Sequence, residues 1–139
     1  MKQKFRVVFD ANIYLSAIIF GGNPRQCLAL ARSREIKLFI SKGILLEISR
    51  NLHNKFGWLE SEIKEVITGV VEFATIVSPQ VMIEVIKVHP QDNKILEAAE
   101  EAKADYIISG DKKHLLSLKK FKHINIISAK HFLDMFNES

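Results

Sequence analysis

Short apolar runs rich in β-branched residues alternate along this chain with stretches whose apolar residues recur at helical spacing. This alternation limits the possible folds more than any other feature of the sequence. The apolar runs predict strands at residues 5–9, 36–40, 81–88, 106–109 and 124–127. Strands that alternate with helices predict an α/β fold, in which a single parallel sheet is flanked by helices on both faces.

The helical stretches fall between these strands and after the last one. They predict a helix carrying Ile13, Ala17 and Phe20, a helix that begins at Pro24, a helix with Ile44, Leu45, Ile48 and Leu52 on one face, helices over about residues 61–74 and 92–103, a short helix through Leu115 and Leu116, and a terminal helix capped by Ser128. No repeat or linker interrupts the pattern, so we expect one domain over residues 1–139.

Composition narrows the class of protein further. Of the 139 residues 47% are hydrophobic, and only 6 are Gly and 3 Pro, which argues against disorder. No apolar run approaches the roughly 18 residues that a membrane-spanning helix needs. A lone cysteine, Cys27, cannot form an internal disulfide. We therefore expect a cytoplasmic protein that folds without covalent crosslinks.

Three of the aspartates follow predicted strands. Asp10, Asp92 and Asp111 each come just after an apolar run. Because the carboxyl ends of parallel strands lie on one edge of a sheet, where ligands bind, these three carboxylates are expected to converge there. Glu47 lies one turn into the helix after the second strand, off its apolar stripe, and can lean toward the same edge.

A structural role is the alternative for each acid. Aspartate is a favoured helix N-cap, and all three aspartates stand where a helix would begin. Glu47 has Arg50 three residues on, which would suit an ordinary ion pair on a helix surface. Glu47 cannot be a cap, however, and its position together with that of the aspartates favours a shared site.

Four clustered carboxylates would raise one another's pKa unless a cation lay among them. Mg²⁺ and Mn²⁺ prefer oxygen ligands and commonly bridge carboxylates to phosphate. Zinc is disfavoured, because the five histidines show no paired i, i+4 spacing and there is only one cysteine. The acids thus predict a magnesium or manganese site.

Three segments carry a resemblance to a known family. VVFDANIYLSAI contains Asp10 and Asn12, ILLEISRNL contains Glu47, and QDNKILEAAEEAKADYIISGDKKHLL contains Asp92 and Asp111. On these segments, which span nearly the whole chain, the sequence resembles the PIN domain family of metal-dependent ribonucleases. The likeness is greatest to the toxin-like branch of prokaryotic toxin-antitoxin systems.

The resemblance implies a Mg²⁺- or Mn²⁺-dependent endoribonuclease in which a metal-activated water hydrolyses RNA phosphodiester bonds. Asp10, Glu47, Asp92 and Asp111 would be the catalytic metal ligands. Supporting groups are expected at Asn12, Ser16, Asn93 and Ser109, although a turn or cap hydrogen bond would equally explain such polar residues. The resemblance also implies a homodimer and a protein antitoxin as partner.

Basic residues predict the contact with RNA. The chain has a net charge of +4 although four of its acids are placed in the site, so the rest of the surface is more basic. Lys112, Lys113, Lys119 and Lys120 follow Asp111 closely and are the predicted RNA-binding residues. A merely solvated face is the alternative for these lysines.

Two other functions stay open from the sequence. Asp10 and Asn12 at the end of a first strand loosely resemble haloacid-dehalogenase-like phosphatases, although those enzymes have an acid where this chain has Asn12, and Glu47 would have no role. A non-catalytic RNA-binding module, in which the acids are only caps, would show no dependence on a divalent metal.

Overall fold

A computed structural model describes residues 3–83, 92–110 and 115–138. Within these ranges one sheet is formed by β1 (Arg6–Phe9), β2 (Lys37–Ser41), β3 (Ala74–Val77), β4 (Tyr106–Ile108), β5 (Lys120–Phe121) and β6 (Ile124–Ile127). The strand order is β3-β2-β1-β4-β6-β5, and every neighbouring pair is parallel except β5 and β6. The predicted α/β fold with a parallel sheet is confirmed.

The helices of the described ranges are α1 (Ala11–Ile19), α2 (Gly22–Arg32), α3 (Lys42–Phe56), α4 (Glu60–Val71), α5 (Asn93–Glu101), α6 (Leu115–Leu118) and α7 (Ala129–Glu138). Polar side chains fix several of their starts. The Ser41 hydroxyl accepts a hydrogen bond from the Ile44 N–H at 3.2 Å, and the Ser128 hydroxyl accepts one from the His131 N–H at 3.1 Å. None of the helices in the described ranges combines the length and apolar character needed to cross a bilayer.

The strand β3 was not predicted from the sequence. Residues 74–77 form β3, whereas the sequence pattern placed Ala74 at the end of the fourth helix and the strand at residues 81–88. Residues 81–83 lie outside any strand, and residues 84–88 lie outside the described ranges. The β-branched residues Thr75, Ile76 and Val77 pair with β2. This pairing favours a strand directly after residues whose apolar spacing is helical.

The two-residue strand β5 was also missed. It pairs antiparallel with β6 through a tight turn at Lys122 and His123. Lys122 has φ 56°, a conformation that turns usually assign to Gly or Asn, so the sequence carries no ordinary hairpin signal there.

Phe20 was predicted on the apolar face of the first helix, and this was wrong. Its side chain is 77% exposed, because α1 ends at Ile19 and Phe20 lies just beyond it. The chain then turns at Gly21, whose φ of 89° is outside the range that other residues readily adopt.

The core lies on both sides of β1 and β4, the two central strands. Val7, Val8 and Phe9 of β1 have no exposed surface, and neither has Ile108 of β4. Cys27 is equally inaccessible, and burial raises the pKa of its thiol to about 12. The thiol is therefore protonated and unreactive at neutral pH, as a packing residue would be.

Candidate active site

The strand order reverses between β1 and β4, and this switch point positions the first predicted acid. From β1 the chain moves to β2 and β3 on one side, while β4 lies on the other. Phe9 is paired with Ile108, so the next residues along the two strands, Asp10 and Ser109, stand side by side at the carboxyl edge. Ligands bind at such a point in open α/β sheets.

The Asp10 carboxylate accepts hydrogen bonds from the segments that follow β1 and β4. One oxygen accepts a hydrogen bond from the Ile13 N–H at 3.0 Å, which makes Asp10 the N-cap of α1. The other oxygen accepts a short hydrogen bond from the Ser109 hydroxyl. The Asp10 N–H itself donates to the Ile108 carbonyl at 3.0 Å. The carboxylate is therefore fixed in orientation, and a role as a cap does not exclude a role in a site.

Burial makes this carboxylate electrostatically important. Asp10 is only 4% exposed, and Ser109 is fully buried. The pKa of the Tyr14 hydroxyl, one helical turn away, is raised far above its ordinary value, first by burial and then by the negative charge of Asp10. The charge of Asp10 thus acts through poorly solvated surroundings, where a cation would interact with it strongly.

Glu47 lies half-buried on α3, the helix that Ser41 caps at the end of β2. It lines a cavity of about 260 Å³ together with Gly43, Arg50 and Lys94. Within the described ranges Glu47 forms no ion pair, so the pairing with Arg50 that the sequence allowed is not made. The carboxylate of Glu47 instead faces a small solvent space with two cations on its border.

Asp92 stands directly before α5, at the N-cap position. Its side chain accepts no capping hydrogen bond, and its backbone is in the helical region, with φ −69° and ψ −22°. The Asp92 side chain therefore does not cap α5, which was the structural role considered for it. Asn93 follows as the first residue of α5 and is 5% exposed.

The remaining predicted site residues are distributed as follows. Asp111, Lys112 and Lys113 lie outside the described ranges. Asn12 is exposed on the first turn of α1, and Ser16 is half-buried one turn further on. Lys119 is exposed just before β5, and Lys120, the first residue of β5, is exposed as well. Lys122, close to these lysines in sequence, forms an ion pair with Glu100.

The described residues do not by themselves complete a metal site. Among residues 3–83, 92–110 and 115–138, no three Asp, Glu, His or Cys side chains are close enough together to hold a metal ion. Asp10, Glu47 and Asp92 all lie on elements at the carboxyl edge, but Asp10 and Asp92 do not line the cavity beside Glu47.

Lys94 was missed by the sequence analysis. It lies in the first turn of α5, borders the cavity beside Glu47, and also lines an adjoining cavity of about 330 Å³ with Ser41 and Glu97. Its position two residues after Asp92 was the available signal in the sequence. The packing of α5 near α3 is what makes Lys94 border the same cavity as Glu47.

A mostly parallel sheet with a buried, oriented carboxylate at its switch point defines an α/β protein with a polar site at its carboxyl edge. A family model described as the PIN domain matches residues 6–113. The uncharacterized protein MJ1680 of Methanocaldococcus jannaschii is 31% identical over 151 aligned positions, which cover 99% of this chain and 95% of that protein. The chain belongs to the PIN domain family, which confirms the resemblance seen in the sequence and places it among the nucleases.

Two solved structures share the fold. PAE2754 from Pyrobaculum aerophilum superposes with a TM-score of 0.63 at 15% identity and covers 98% of this chain and 91% of its own. VapBC2 from Rickettsia felis, solved bound to a DNA fragment from its promoter, superposes with a TM-score of 0.59 at 13% identity. The match covers 87% of this chain and 96% of that chain. At these identities the likeness concerns the fold alone.

Proposed function

We propose that this protein is an endoribonuclease that uses Mg²⁺ or Mn²⁺, with Asp10, Glu47, Asp92 and Asp111 as the acidic residues of the site. The observation that carries the proposal is the Asp10 carboxylate, which is buried at the switch point and oriented by Ile13 and Ser109. Membership of a nuclease family supplies the reaction class.

The residues at the carboxyl edge fit a hard divalent cation. The donors are carboxylate oxygens, and the site residues include no histidine or thiolate that would favour zinc. Such an ion would supply an activated water and would neutralise charge on the phosphodiester oxygens. The chain's own contribution is orientation, because the Ile13 N–H and the Ser109 hydroxyl keep the Asp10 oxygens at the sheet edge.

The cavity beside Glu47 supports a phosphodiester as substrate. Arg50 and Lys94 border it, and both side chains are donors suited to phosphate oxygens. We propose that Lys94 positions the RNA backbone next to Glu47, and that Lys112, Lys113, Lys119 and Lys120 extend the contact along the strand. RNA cleavage in the cytoplasm by a homodimer is part of the same proposal.

The test is an incubation of the purified protein with RNA and DNA strands of the same sequence, in Mg²⁺, in Mn²⁺ and in chelator. We expect internal cleavage of RNA with either metal, none in chelator, and restored cleavage when Mg²⁺ is added back. Release of inorganic phosphate from a phosphomonoester, without strand cleavage, would instead identify a phosphatase. Metal-independent RNA binding without any cleavage would identify a binding module.

We further propose that the protein is the toxin of a toxin-antitoxin pair. The support is its fold, which it shares with the VapBC2 complex of Rickettsia felis. Expression of the wild-type chain in a bacterial host should arrest growth, and expression of Asp10→Asn at the same level should not. Equal growth with both proteins would contradict the toxin assignment while leaving the nuclease assignment open to the cleavage assay.

A further inference from the structure

A second basic cavity lies at the end of the sheet opposite Asp10. It has a volume of about 380 Å³, and four cations line it: Lys4, Arg6, Arg34 and Lys37. Arg6 and Lys37 are the first residues of β1 and β2 and are paired in register. Since Asp10 follows the last residue of β1, the two ends are separated by about 13 Å along that strand. We call this set of four residues the cationic pocket.

The cations of the cationic pocket are not paired with acids in the part of the chain that the structure describes. No Asp or Glu lines the cavity, and none of the four cations forms an ion pair with a described residue. Two nearby acids are engaged in other contacts. Glu35 accepts a hydrogen bond from the Ser33 hydroxyl at 2.6 Å, and Asp105 accepts one from the Arg6 backbone N–H at 2.8 Å. A concave cluster of like charges attracts anions.

Both arginines of the pocket are held in place by the fold. The Arg6 guanidinium lies 4.4 Å from the centre of the Phe39 ring, and its Nε donates to the Ala102 carbonyl at 2.8 Å. Arg34 donates from one Nη to the Glu72 carbonyl at 3.0 Å. The Nη groups of Arg6 donate to no described residue. A fixed guanidinium with free donors suits the paired oxygens of a phosphate.

We propose that the cationic pocket binds the phosphate groups of an RNA strand, as a contact remote from the carboxylate site. The identity of the ligand as RNA rests on the proposed ribonuclease function, whereas the affinity for phosphate rests on the four cations alone. The cavity volume is within the range of small-molecule sites, so a free nucleotide, which also carries phosphate, could fit there. The experiment distinguishes an RNA strand from a free nucleotide as the ligand.

The test is RNA binding in chelator, measured by fluorescence anisotropy on a short and a long single strand at several salt concentrations. The pocket variant is Lys4→Gln with Lys37→Gln, two exposed residues whose side chains make no described hydrogen bond. The matched control is Lys55→Gln with Lys64→Gln, which removes the same charge from exposed positions on α3 and α4. Binding of inorganic phosphate and of AMP is measured on the same proteins by calorimetry.

We expect the pocket variant to bind the long strand on the order of tenfold more weakly at 0.1 M salt. Its log-log salt slope should fall by about 0.7 for each lost contact to single-stranded RNA. The control should keep the wild-type slope, and the short strand should be affected less. An unchanged slope in the pocket variant would overturn the proposal, and so would a loss of AMP binding without a loss of RNA binding. Because chelator prevents metal-dependent cleavage, these measurements report binding alone, and the cleavage assay tests the nuclease assignment separately.

Discussion

The Asp10 carboxylate caps α1 and also lies at the carboxyl edge of the sheet, and the sequence predicted both positions. An aspartate that ends one strand and begins a helix is expected to be a cap, and the Ile13 N–H confirms that contact. Its neighbour Ser109 could be predicted because parallel strand ends meet at one edge. The surroundings of Glu47 could not be predicted, since they depend on how closely α5 approaches α3, which brings Lys94 to the same cavity.

Ser109→Ala tests how strongly the site carboxylate is supported. A hydrogen bond to a charged group contributes about 1.5–3 kcal/mol, and its loss leaves a buried carboxylate less satisfied. We expect the free energy of unfolding at neutral pH to fall by that amount in urea titrations with an unchanged m-value. Ser78→Ala, at an exposed position, is the control and should change stability by less than about 0.5 kcal/mol. Equal stability of the two variants would mean that the Ser109 hydroxyl does not support Asp10.

Tyr14→Phe, unlike Ser109→Ala, should not lower the free energy of unfolding. The Tyr14 hydroxyl is fully buried and has no hydrogen-bond partner among the described residues. Its removal abolishes a desolvation cost, so stability should stay the same or rise by up to about 1–3 kcal/mol in the same urea titrations. A loss of more than about 1 kcal/mol would show that the hydroxyl has a stabilising contact.

At the scale of elements, strongly periodic segments were easy to predict and short strands were not. The amphipathic helix α3 buries Ile44, Ile48 and Leu52 of its predicted apolar face, and α5 appears within a few residues of its predicted bounds. The strand β3 has four residues and gains its stability from pairing with β2, which no local pattern reports. The strand β5 has two residues and depends on Lys122 at positive φ, where a sequence pattern would look for glycine.

Two glycines that end helices should differ in their tolerance of alanine. Gly57 follows α3 with φ 66° and ψ 23°, and a Cβ there would meet nothing within 4 Å. Gly21 has φ 89° and ψ −132°, and a Cβ would lie 3.2 Å from the Arg25 guanidinium carbon. Gly57→Ala should cost about 1–2 kcal/mol of unfolding free energy. Gly21→Ala should cost more, toward about 3 kcal/mol, because its conformation is nearly restricted to glycine.

Thermal or urea unfolding of both variants checks this order. Arg25 can withdraw only by giving up hydrogen bonds from its guanidinium to the Ala17 and Ile18 carbonyls, which close the end of α1. A smaller cost at Gly21 than at Gly57 would contradict the described turn between α1 and α2.

At the scale of the whole molecule, the class of fold could be predicted but the strand order could not. Alternation of strands and helices predicts a parallel sheet, whereas the order β3-β2-β1-β4-β6-β5 is a property of the assembled chain. The same order places Lys37 of β2 beside Arg6 of β1, so the cationic pocket lies at one end of β1 and Asp10 at the other. Lys4 and Arg34 are far apart in sequence, so the cationic pocket has no signature in any local segment.

The proposed site of RNA hydrolysis is tested most directly by RNA cleavage in Mg²⁺ with four proteins: wild type, Asp10→Asn, Glu47→Gln and Glu65→Gln. Glu65 is exposed on α4 and serves as the matched acidic control. We expect Glu65→Gln to cleave RNA at the wild-type rate. Asp10→Asn and Glu47→Gln should each lower the cleavage rate by at least about a hundredfold, because this is the usual effect of removing one group that stabilises charge in the transition state. Circular dichroism should show that all four are folded. Full activity of folded Asp10→Asn would contradict the claim that the switch point of this sheet is the site of RNA hydrolysis.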